Sequence, residues 1–504
     1  MSSAINAINL LGINVAGGII LGVVFVVVLI LLAMYTVWGF GRVMALPNNR
    51  SHVNVKLGKV SIKAALAYII VIGIVARIIA AILVSGQTDY IGSLLDGHTQ
   101  FDRIGLEGYL NTKGWNVMYP LTYLINGLFG KVGGLFHDAD VLAFFLRLPY
   151  ILADLISAFI LYAIARKFVN KQVGVLVVAL FMLNPMFFLN SGIAGFANSL
   201  LILSLLGTFY FMARRNTFAM LFFYGLSLLL HRDAQMLLAP MMVYLVYLVV
   251  RSIITIRRDG KAGFMKDKAR NSVVVVPLTV VSVFLGMWIV SLPFVSVQYG
   301  FNPFVYLNRS FIQMIQIFDN YGVNALSLYN LFLRNGELTA YSFPALTFGI
   351  VFLILGILIS AILFLSKRNR ANMVLISSFI MVTIALYFIN FTSATLVPSV
   401  ALILLSFILI KDRRILKVFV LLSFAVSLNQ LTSLVYNTTI TEGFGLGLNI
   451  AMSVIAILTH IYFTMVVLDI CMSSNIVVLS TEPDIGIGQA NKWWWKRIGN
   501  RVSN

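Results

Sequence analysis

The chain has 504 residues, of which 60% are hydrophobic and only 11% are charged, and its mean hydropathy is +0.96. Soluble globular proteins carry about 25% charged residues, so this composition excludes a soluble domain. The net charge of +19 does not indicate a nucleic-acid-binding protein, because the basic residues are divided among short, regularly spaced loops. The single cysteine, Cys471, excludes an internal disulfide.

Apolar segments long enough to cross about 30 Å of hydrocarbon recur along the whole chain. Only helices satisfy the backbone polar groups of such a segment internally, so the predicted fold class is an all-α polytopic membrane protein. About thirteen transmembrane helices are predicted, at residues 15–40, 63–85, 141–165, 172–190, 192–213, 217–231, 234–250, 272–295, 341–366, 372–391, 394–410, 414–436 and 446–471.

Lysine and arginine are concentrated in every second loop between these segments, which predicts the orientation of the chain. The basic loops are residues 41–63, 166–171, 214–215, 251–270, 367–370, 411–417 and 492–501. Basic loops face the cytoplasm, so we expect a multi-pass protein of the cell membrane with its N-terminus outside and its C-terminus cytoplasmic. Two large loops, residues 86–140 and 296–340, then lie on the outer side, where long loops tend to be functional.

The predicted organisation has five parts. They are an additional N-terminal helix and basic loop at residues 1–62, a transmembrane core at 63–295 that contains the first outer loop, a second outer loop at 296–340, C-terminal helices at 341–471 and a cytoplasmic tail at 472–504.

The first outer loop carries two acids, Asp102 and Glu107. A carboxylate near an apolar surface is suited to act as a general base, although most loop acids are simply solvated. The third predicted span carries Arg147 and Asp154, seven residues apart and therefore on one helical face. Charges inside a bilayer usually face the bundle interior or a wet cavity. The two residues are predicted to line such a cavity as a pair, or to form a structural ion pair, or, for Arg147, to extend from a helix end to the membrane interface.

Further polar residues lie at breaks between spans. A break rich in small and amide residues runs from Asn184 to Ser199. A second break, His231-Arg232-Asp233-Ala234-Gln235, is interpreted either as a phosphate-binding helix start or as a plain polar turn. Arg309, in the second large loop, is another possible anion contact. The chain has no phosphate-binding loop of the Walker type, no HExxH and no paired CxxC motif.

In this order, the motifs resemble the GT-C superfamily of integral membrane glycosyltransferases, and above all the bacterial and archaeal mannosyltransferase-like members related to GPI and lipid-linked oligosaccharide mannosyltransferases. The motifs that carry the resemblance are Phe101-Asp102, Tyr119-Pro120-Leu121, Arg147-Leu148-Pro149, Ala153-Asp154-Leu155, Asn184-Pro185, the turn from Arg232 through Gln235 to Pro240, Leu292-Pro293-Phe294 and Asn324-Ala325.

The resemblance implies a GT-C-like fold and an inverting hexosyltransferase. It would move mannose or another hexose from a polyprenyl-phosphate carrier to a lipid or cell-envelope glycan on the outer face, with membrane lipids and no nucleic acid as its other partners. Asp102 would be the catalytic base, and Arg232 and Arg309 would hold the phosphate. The other predicted substrate contacts are Arg103, Glu107, Tyr119, Arg147, Asp154, Asn198, His231 and Gln235. No cofactor is certain, and a divalent cation (Mg or Mn) between Asp102 and Glu107 is left open.

Two departures from the superfamily pattern leave other interpretations open. Many relatives carry an acid where this chain has Asn198, and many carry a His-Glu-Arg-Tyr element where this chain has uncharged residues at 391–398. The second interpretation is a non-catalytic accessory protein that binds a lipid-linked sugar. The third is a polysaccharide or lipid transporter, which inverted repeats would support.

Overall fold

The computed structural model describes residues 61–83, 120–265, 271–291, 326, 345–387, 393–436 and 443–472. All regular elements within these residues are helical, which confirms the predicted all-α membrane fold. The α-helices are α1 (Ile62–Leu83), α2 (Pro120–Gly134), α3 (Ala139–Phe168), α4 (Lys171–Met182), α5 (Pro185–Phe188), α6 (Asn198–Ala213), α7 (Thr217–Leu230), α8 (Leu238–Met265), α9 (Val276–Ser291), α10 (Ala345–Ser366), α11 (Arg370–Tyr387), α12 (Leu396–Ile410), α13 (Arg413–Tyr436) and α14 (Gly443–Met472).

Four short helices of other types complete the described elements. Two are π-helices, in which hydrogen bonds join residues five apart, and two are 3₁₀-helices, which are wound more tightly than α-helices. The π-helices are Leu189–Ala194 and Asn271–Val275, and the 3₁₀-helices are Arg232–Leu237 and Ser393–Thr395.

Eight of the described helices are long and apolar enough to cross a membrane, or nine if the bent pair Lys171–Met182 and Pro185–Ala194 is one span. Three shorter apolar helices, Asn198–Ala213, Thr217–Leu230 and Leu353–Ser366, join them. Each predicted apolar segment from the second onward coincides with one of these helices or with the bent pair. The first, residues 15–40, lies outside the described residues, so the total of thirteen stays a prediction.

The core of the bundle surrounds α12, all of whose side chains are buried. Helices α6, α11 and α13 pack around it, and α3 joins α4 and α6. Helices α1 and α9 lie at the periphery and leave large apolar side chains exposed, including Tyr68, Ile72 and Leu278. Because a helix that is apolar on all sides is stable only inside a protein or in lipid, these outer faces meet the hydrocarbon.

The first outer loop was predicted at residues 86–140, but its last part is helical. Helix α2 occupies Pro120–Gly134, and α3 begins at Ala139. Asp138 caps α3, because its carboxylate accepts hydrogen bonds from the backbone N–H groups of Asp140 (2.8 Å) and Val141 (3.2 Å). The rest of that loop, most of the second large loop and the tail lie outside the described residues.

One end of the bundle carries most of the described basic residues and is called the basic end. It is formed by Lys167 at the end of α3, Arg214 after α6, Arg368 after α10 and Arg414 at the start of α13. Three of these cations lie over aromatic rings: Lys167 is 5.7 Å from the centre of the Phe168 ring, Arg214 is 5.3 Å from that of Tyr210, and Arg368 is 6.0 Å from that of Tyr247. Arg414 binds Asp469 at 2.7 Å, which supplies the partner that the sequence did not indicate for this acid.

Candidate functional site

The span that starts with α4 is broken at the end opposite to the basic end. Asn184 ends the regular helix: its side-chain oxygen accepts from the Met186 backbone N–H at 2.9 Å, and its amide nitrogen donates to the Ser423 hydroxyl at 3.0 Å. The chain turns by 52° and continues as a π-helix that ends at Gly195, where φ is +67°. Glycine adopts this left-handed conformation without strain. The break predicted between residues 184 and 199 is therefore confirmed as a bent, buried segment.

A buried arginine connects this segment to two neighbouring helices. The Arg77 Nε on α1 donates to the Asp154 carboxylate on α3 at 3.0 Å and to the Ser191 hydroxyl of the π-helix at 3.0 Å. Its Nη1 donates to the backbone carbonyls of Gly73 (3.0 Å) and Met182 (2.7 Å). Both charged side chains are almost fully buried. A buried ion pair of this kind is stable only when further hydrogen bonds compensate for lost water, and the bonds from Nε and Nη1 supply part of this compensation.

The prediction that Arg147 and Asp154 form a pair is wrong. Asp154 binds Arg77, while the Arg147 Nη1 donates to the Ala81 carbonyl of α1 at 2.7 Å. Two residues seven apart share a face, but about 10 Å of helix rise separates them, and each instead meets the antiparallel helix α1 at its own level. Both side chains are buried between helices, so their described contacts hold the bundle together.

The close approach of α1 to the π-helix depends on Gly192. A Cβ atom at this position would lie 3.2 Å from the Arg77 Cα and 3.4 Å from its Cβ. We expect Gly192→Ala to lower the free energy of unfolding by about 1–3 kcal/mol, because α1 must move away from its ion-pair partner. In the matched variant Gly447→Ala, a Cβ meets nothing within 4 Å, and the alanine is expected to stabilise α14 by up to about 1 kcal/mol. Unfolding of both variants in detergent measures the difference, and equal stability would contradict the proposed close packing.

Asn198 forms a second contact between distant segments. Its amide nitrogen donates to the Ala394 backbone carbonyl at 2.7 Å, and the residue is buried. The neighbouring Asn190 amide donates to the Ser199 hydroxyl at 3.0 Å. Ala394 lies in the region where many GT-C relatives carry the charged element, so the two departures from that pattern contact each other. A neutral amide–carbonyl bond occupies the position at which charged groups were expected.

The break after α7 forms a compact turn. The His231 Nδ1 accepts from the Asp233 backbone N–H at 3.2 Å, so this nitrogen carries no proton. Burial lowers the pKa of the His231 imidazole, whereas Asp233 raises it and Arg232 lowers it further, so the ring is neutral at pH 7. The Asp233 carboxylate is buried, with the Arg232 Nε 3.5 Å away, and the side chains of His231 and Arg232 are partly exposed. Gln235 lies on the same 3₁₀-helix.

The remaining predicted site residues lie outside the described part of the chain. They are Asp102, Arg103, Glu107, Tyr119 and Arg309. Among the described residues, no group of three or more His, Cys, Asp or Glu side chains is arranged to hold a metal ion. The metal proposed between Asp102 and Glu107 therefore stays untested.

The sequence interpretation missed Arg77's partner and the surroundings of His460. Thr383 donates its hydroxyl proton to the Phe379 carbonyl at 2.8 Å, so at 2.9 Å from the His460 Nε2 it acts as acceptor. The Tyr387 hydroxyl forms a hydrogen bond with the other ring nitrogen, at 3.2 Å. His460 thus links α14 to α11 through hydrogen bonds at both ring nitrogens. A lone histidine in an apolar span was the available signal, because polar residues inside a membrane are seldom unbonded.

A family model described as GPI transamidase subunit PIG-U matches residues 71–324, which is half of the chain. The chain belongs to the PIG-U family. The match confirms a multi-pass membrane family, and it contains the broken span, the Arg77–Asp154 pair and the turn at His231. A search of curated proteins found no match to this PIG-U family member.

The predicted sugar transfer is wrong. The PIG-U family model describes a subunit of a transamidase, not an enzyme or accessory protein that handles polyprenyl-phosphate sugars, and not a transporter. Every residue predicted for the substrate site lies inside the matched segment, so the motifs that suggested a glycosyltransferase belong to this PIG-U family member's own pattern. Neither the hexosyltransferase activity nor the lipid-linked sugar donor is supported.

Proposed function

We propose that the chain is a membrane subunit of a complex that attaches proteins to a glycosylphosphatidylinositol lipid, and that it positions the lipid rather than exchanging the amide bond. The description of the family as a subunit of a GPI transamidase supports this proposal. A transamidase breaks one amide bond and forms another, which requires a nucleophile and a base in contact with the substrate. In this proposal those groups belong to another chain of the complex.

The observation that carries the proposal is the use made of the buried polar residues. Asp154 is bound to Arg77 and Asn198 to the Ala394 carbonyl, so both connect helices instead of facing a reacting group. A catalytic carboxylate must reach its substrate within hydrogen-bond distance. Buried groups with such partners keep a set of membrane helices in one arrangement. A subunit that presents a lipid to a catalytic partner requires a fixed arrangement of this kind.

The turn at His231 is the proposed contact for the polar part of the lipid. The partly exposed Arg232 guanidinium is suited to a phosphodiester, because its planar fork matches two phosphate oxygens. His231 and Gln235 are proposed to contribute hydrogen bonds beside it. Asp102, Arg103, Glu107, Tyr119 and Arg309 stay predictions for the same lipid. We also propose that the basic end faces the cytoplasm, as the positive-inside rule favours, so the turn faces the opposite side of the membrane.

The test uses the full chain, tagged in its native organism and purified in mild detergent. We expect it to co-purify with a chain that carries a transamidase nucleophile, and a photoreactive glycosylphosphatidylinositol analogue is expected to cross-link to it. Arg232→Ala should reduce cross-linking about tenfold, because a charge-assisted hydrogen bond contributes about 1.5–3 kcal/mol. The matched variant Arg258→Ala removes an exposed arginine at the basic end and should leave cross-linking unchanged. A chain that purifies alone, and whose deletion leaves the amount of lipid-anchored protein unchanged, would overturn the proposal.

A further inference from the structure

Three arginines gather around two tyrosines at the basic end, between the turn after α6 and the turn after α10. The Arg370 guanidinium donates to the Tyr244 phenol oxygen, and Arg215 acts electrostatically on the same phenol. The guanidinium carbon of Arg368 lies 6.0 Å from the centre of the Tyr247 ring. These five residues are called the arginine–tyrosine site.

A shared aromatic contact fixes the two tyrosines. The Phe364 ring on α10 meets Tyr244 edge-on at 6.0 Å and Tyr247 edge-on at 5.1 Å. Edge-to-face contacts at these distances are favourable, so α8 and α10 hold both rings in place beneath the arginines. The site is therefore part of the packed helix ends.

The arginines of the arginine–tyrosine site differ from other arginines at the same end in their pairing with carboxylates. Arg414 has two carboxylates at 2.7 Å, and Arg258 has the Asp259 carboxylate at 2.8 Å. In the part of the chain that the structure describes, neither Arg368 nor Arg370 pairs with a carboxylate. Arg215 and Arg370 act on the same phenol, so their like charges repel each other, and an anion beside them would offset the repulsion.

Backbone geometry adds to the cost of this arrangement. Arg370 begins α11, where the helix dipole is positive and a cation is unfavourable. Arg215 has φ +64°, a left-handed conformation that favours glycine. Arg370 thus lies at a helix end that disfavours a cation, and Arg215 lies in a backbone conformation that disfavours any side chain with a Cβ atom.

We propose that the arginine–tyrosine site binds the phosphate of an anionic phospholipid from the adjacent leaflet. Guanidinium groups bind phosphate oxygens in pairs, and aromatic rings are suited to the headgroup region. The source is a lipid rather than soluble phosphate, because exposed apolar side chains on both helices continue from the site towards the membrane interior. These are Met242 on α8 and Leu358 and Ile362 on α10. The proposal does not depend on the proposed function.

The experiment measures binding of phosphatidylglycerol and phosphatidylcholine to the purified full chain by native mass spectrometry. We expect phosphatidylglycerol to bind preferentially, and the double variant Arg368→Gln, Arg370→Gln to bind it about tenfold more weakly. Arg215→Gly is a second test of the site. Because glycine suits the local backbone, we expect this variant to keep its fold. Its binding is expected to fall several-fold. Arg258→Gln removes one positive charge from the same end and should change binding less than twofold.

Two results would overturn the proposal. Equal binding by the site variants and Arg258→Gln would show that only the overall positive charge attracts the lipid. Displacement of the lipid by millimolar inorganic phosphate would show that the site takes free phosphate and does not use the acyl chains. Retained preference for phosphatidylglycerol in the presence of phosphate, lost in Arg215→Gly, supports it.

Discussion

Asp154→Ala is expected to lower the free energy of unfolding by about 3–5 kcal/mol, because it leaves the Arg77 guanidinium without its counter-charge in the interior. Within the described part of the chain, Asp154 is the only acid that binds this arginine, at 3.0 Å. The remaining partners are neutral and compensate only in part. Titration with a denaturing detergent, followed by a probe of helix packing, measures the change.

Two variants separate this effect from general damage. The double variant Arg77→Met, Asp154→Leu removes both charges and should recover much of the lost stability, since an apolar pair of similar volume replaces a buried ion pair at little cost. Asp259→Ala removes a carboxylate that pairs with the exposed Arg258 at 2.8 Å and should cost less than about 1 kcal/mol. If Asp154→Ala were as mild as Asp259→Ala, the Arg77–Asp154 pair would not hold the helices together.

Asn198→Asp is expected to destabilise the protein by about 3 kcal/mol or more, although it restores the acid of the glycosyltransferase pattern. The asparagine amide donates to the Ala394 carbonyl at 2.7 Å, and a carboxylate oxygen at that distance would repel the carbonyl. The carbonyl loses its donor, and a charge is buried without a partner, which costs more than a lost neutral hydrogen bond. Thermal unfolding and the yield of monodisperse protein measure the effect.

The matched control is Asn216→Asp, which makes the same chemical change at an exposed helix cap. Asn216 accepts from the Ala219 backbone N–H at 3.0 Å, and an aspartate accepts equally well, so the stability should change little. An Asn198→Asp variant as stable as Asn216→Asp would contradict a structural role for the Asn198 amide.

The sequence predicts the helices of this protein well and their contacts poorly. Apolar length locates most of the described spans within a few residues, for example residues 372–391 for α11 at Arg370–Tyr387, although α8 continues to Met265, beyond the end predicted at residue 250. The break after Asn184 is likewise visible in proline, glycine and amide residues. These features are local, so they can be recognised without knowing which helices are neighbours.

The pairing of buried charges could not be recognised in the same way. Arg77 and Asp154 belong to helices whose relative height depends on packing, including the contact that Gly192 permits. Asn198 binds a backbone carbonyl. Every residue has such a carbonyl, so the sequence does not indicate which one is the partner. The functional prediction failed for a related reason: the same polar residues at the same spacing suit a catalytic site and a helix-joining scaffold, and only their partners distinguish the two.

The long separation in sequence between Arg77 and Asp154 affects how the protein is inserted into the membrane during synthesis. The ribosome must add 77 residues after the arginine before the matching acid is made, which takes about 4–15 s at ordinary translation rates. During this interval α1 carries an uncompensated cation, and a central arginine costs about 2.5–3.5 kcal/mol on insertion scales. We therefore expect the membrane-insertion machinery to retain α1 until α3 has been synthesised, so that the two helices enter the lipid bilayer together.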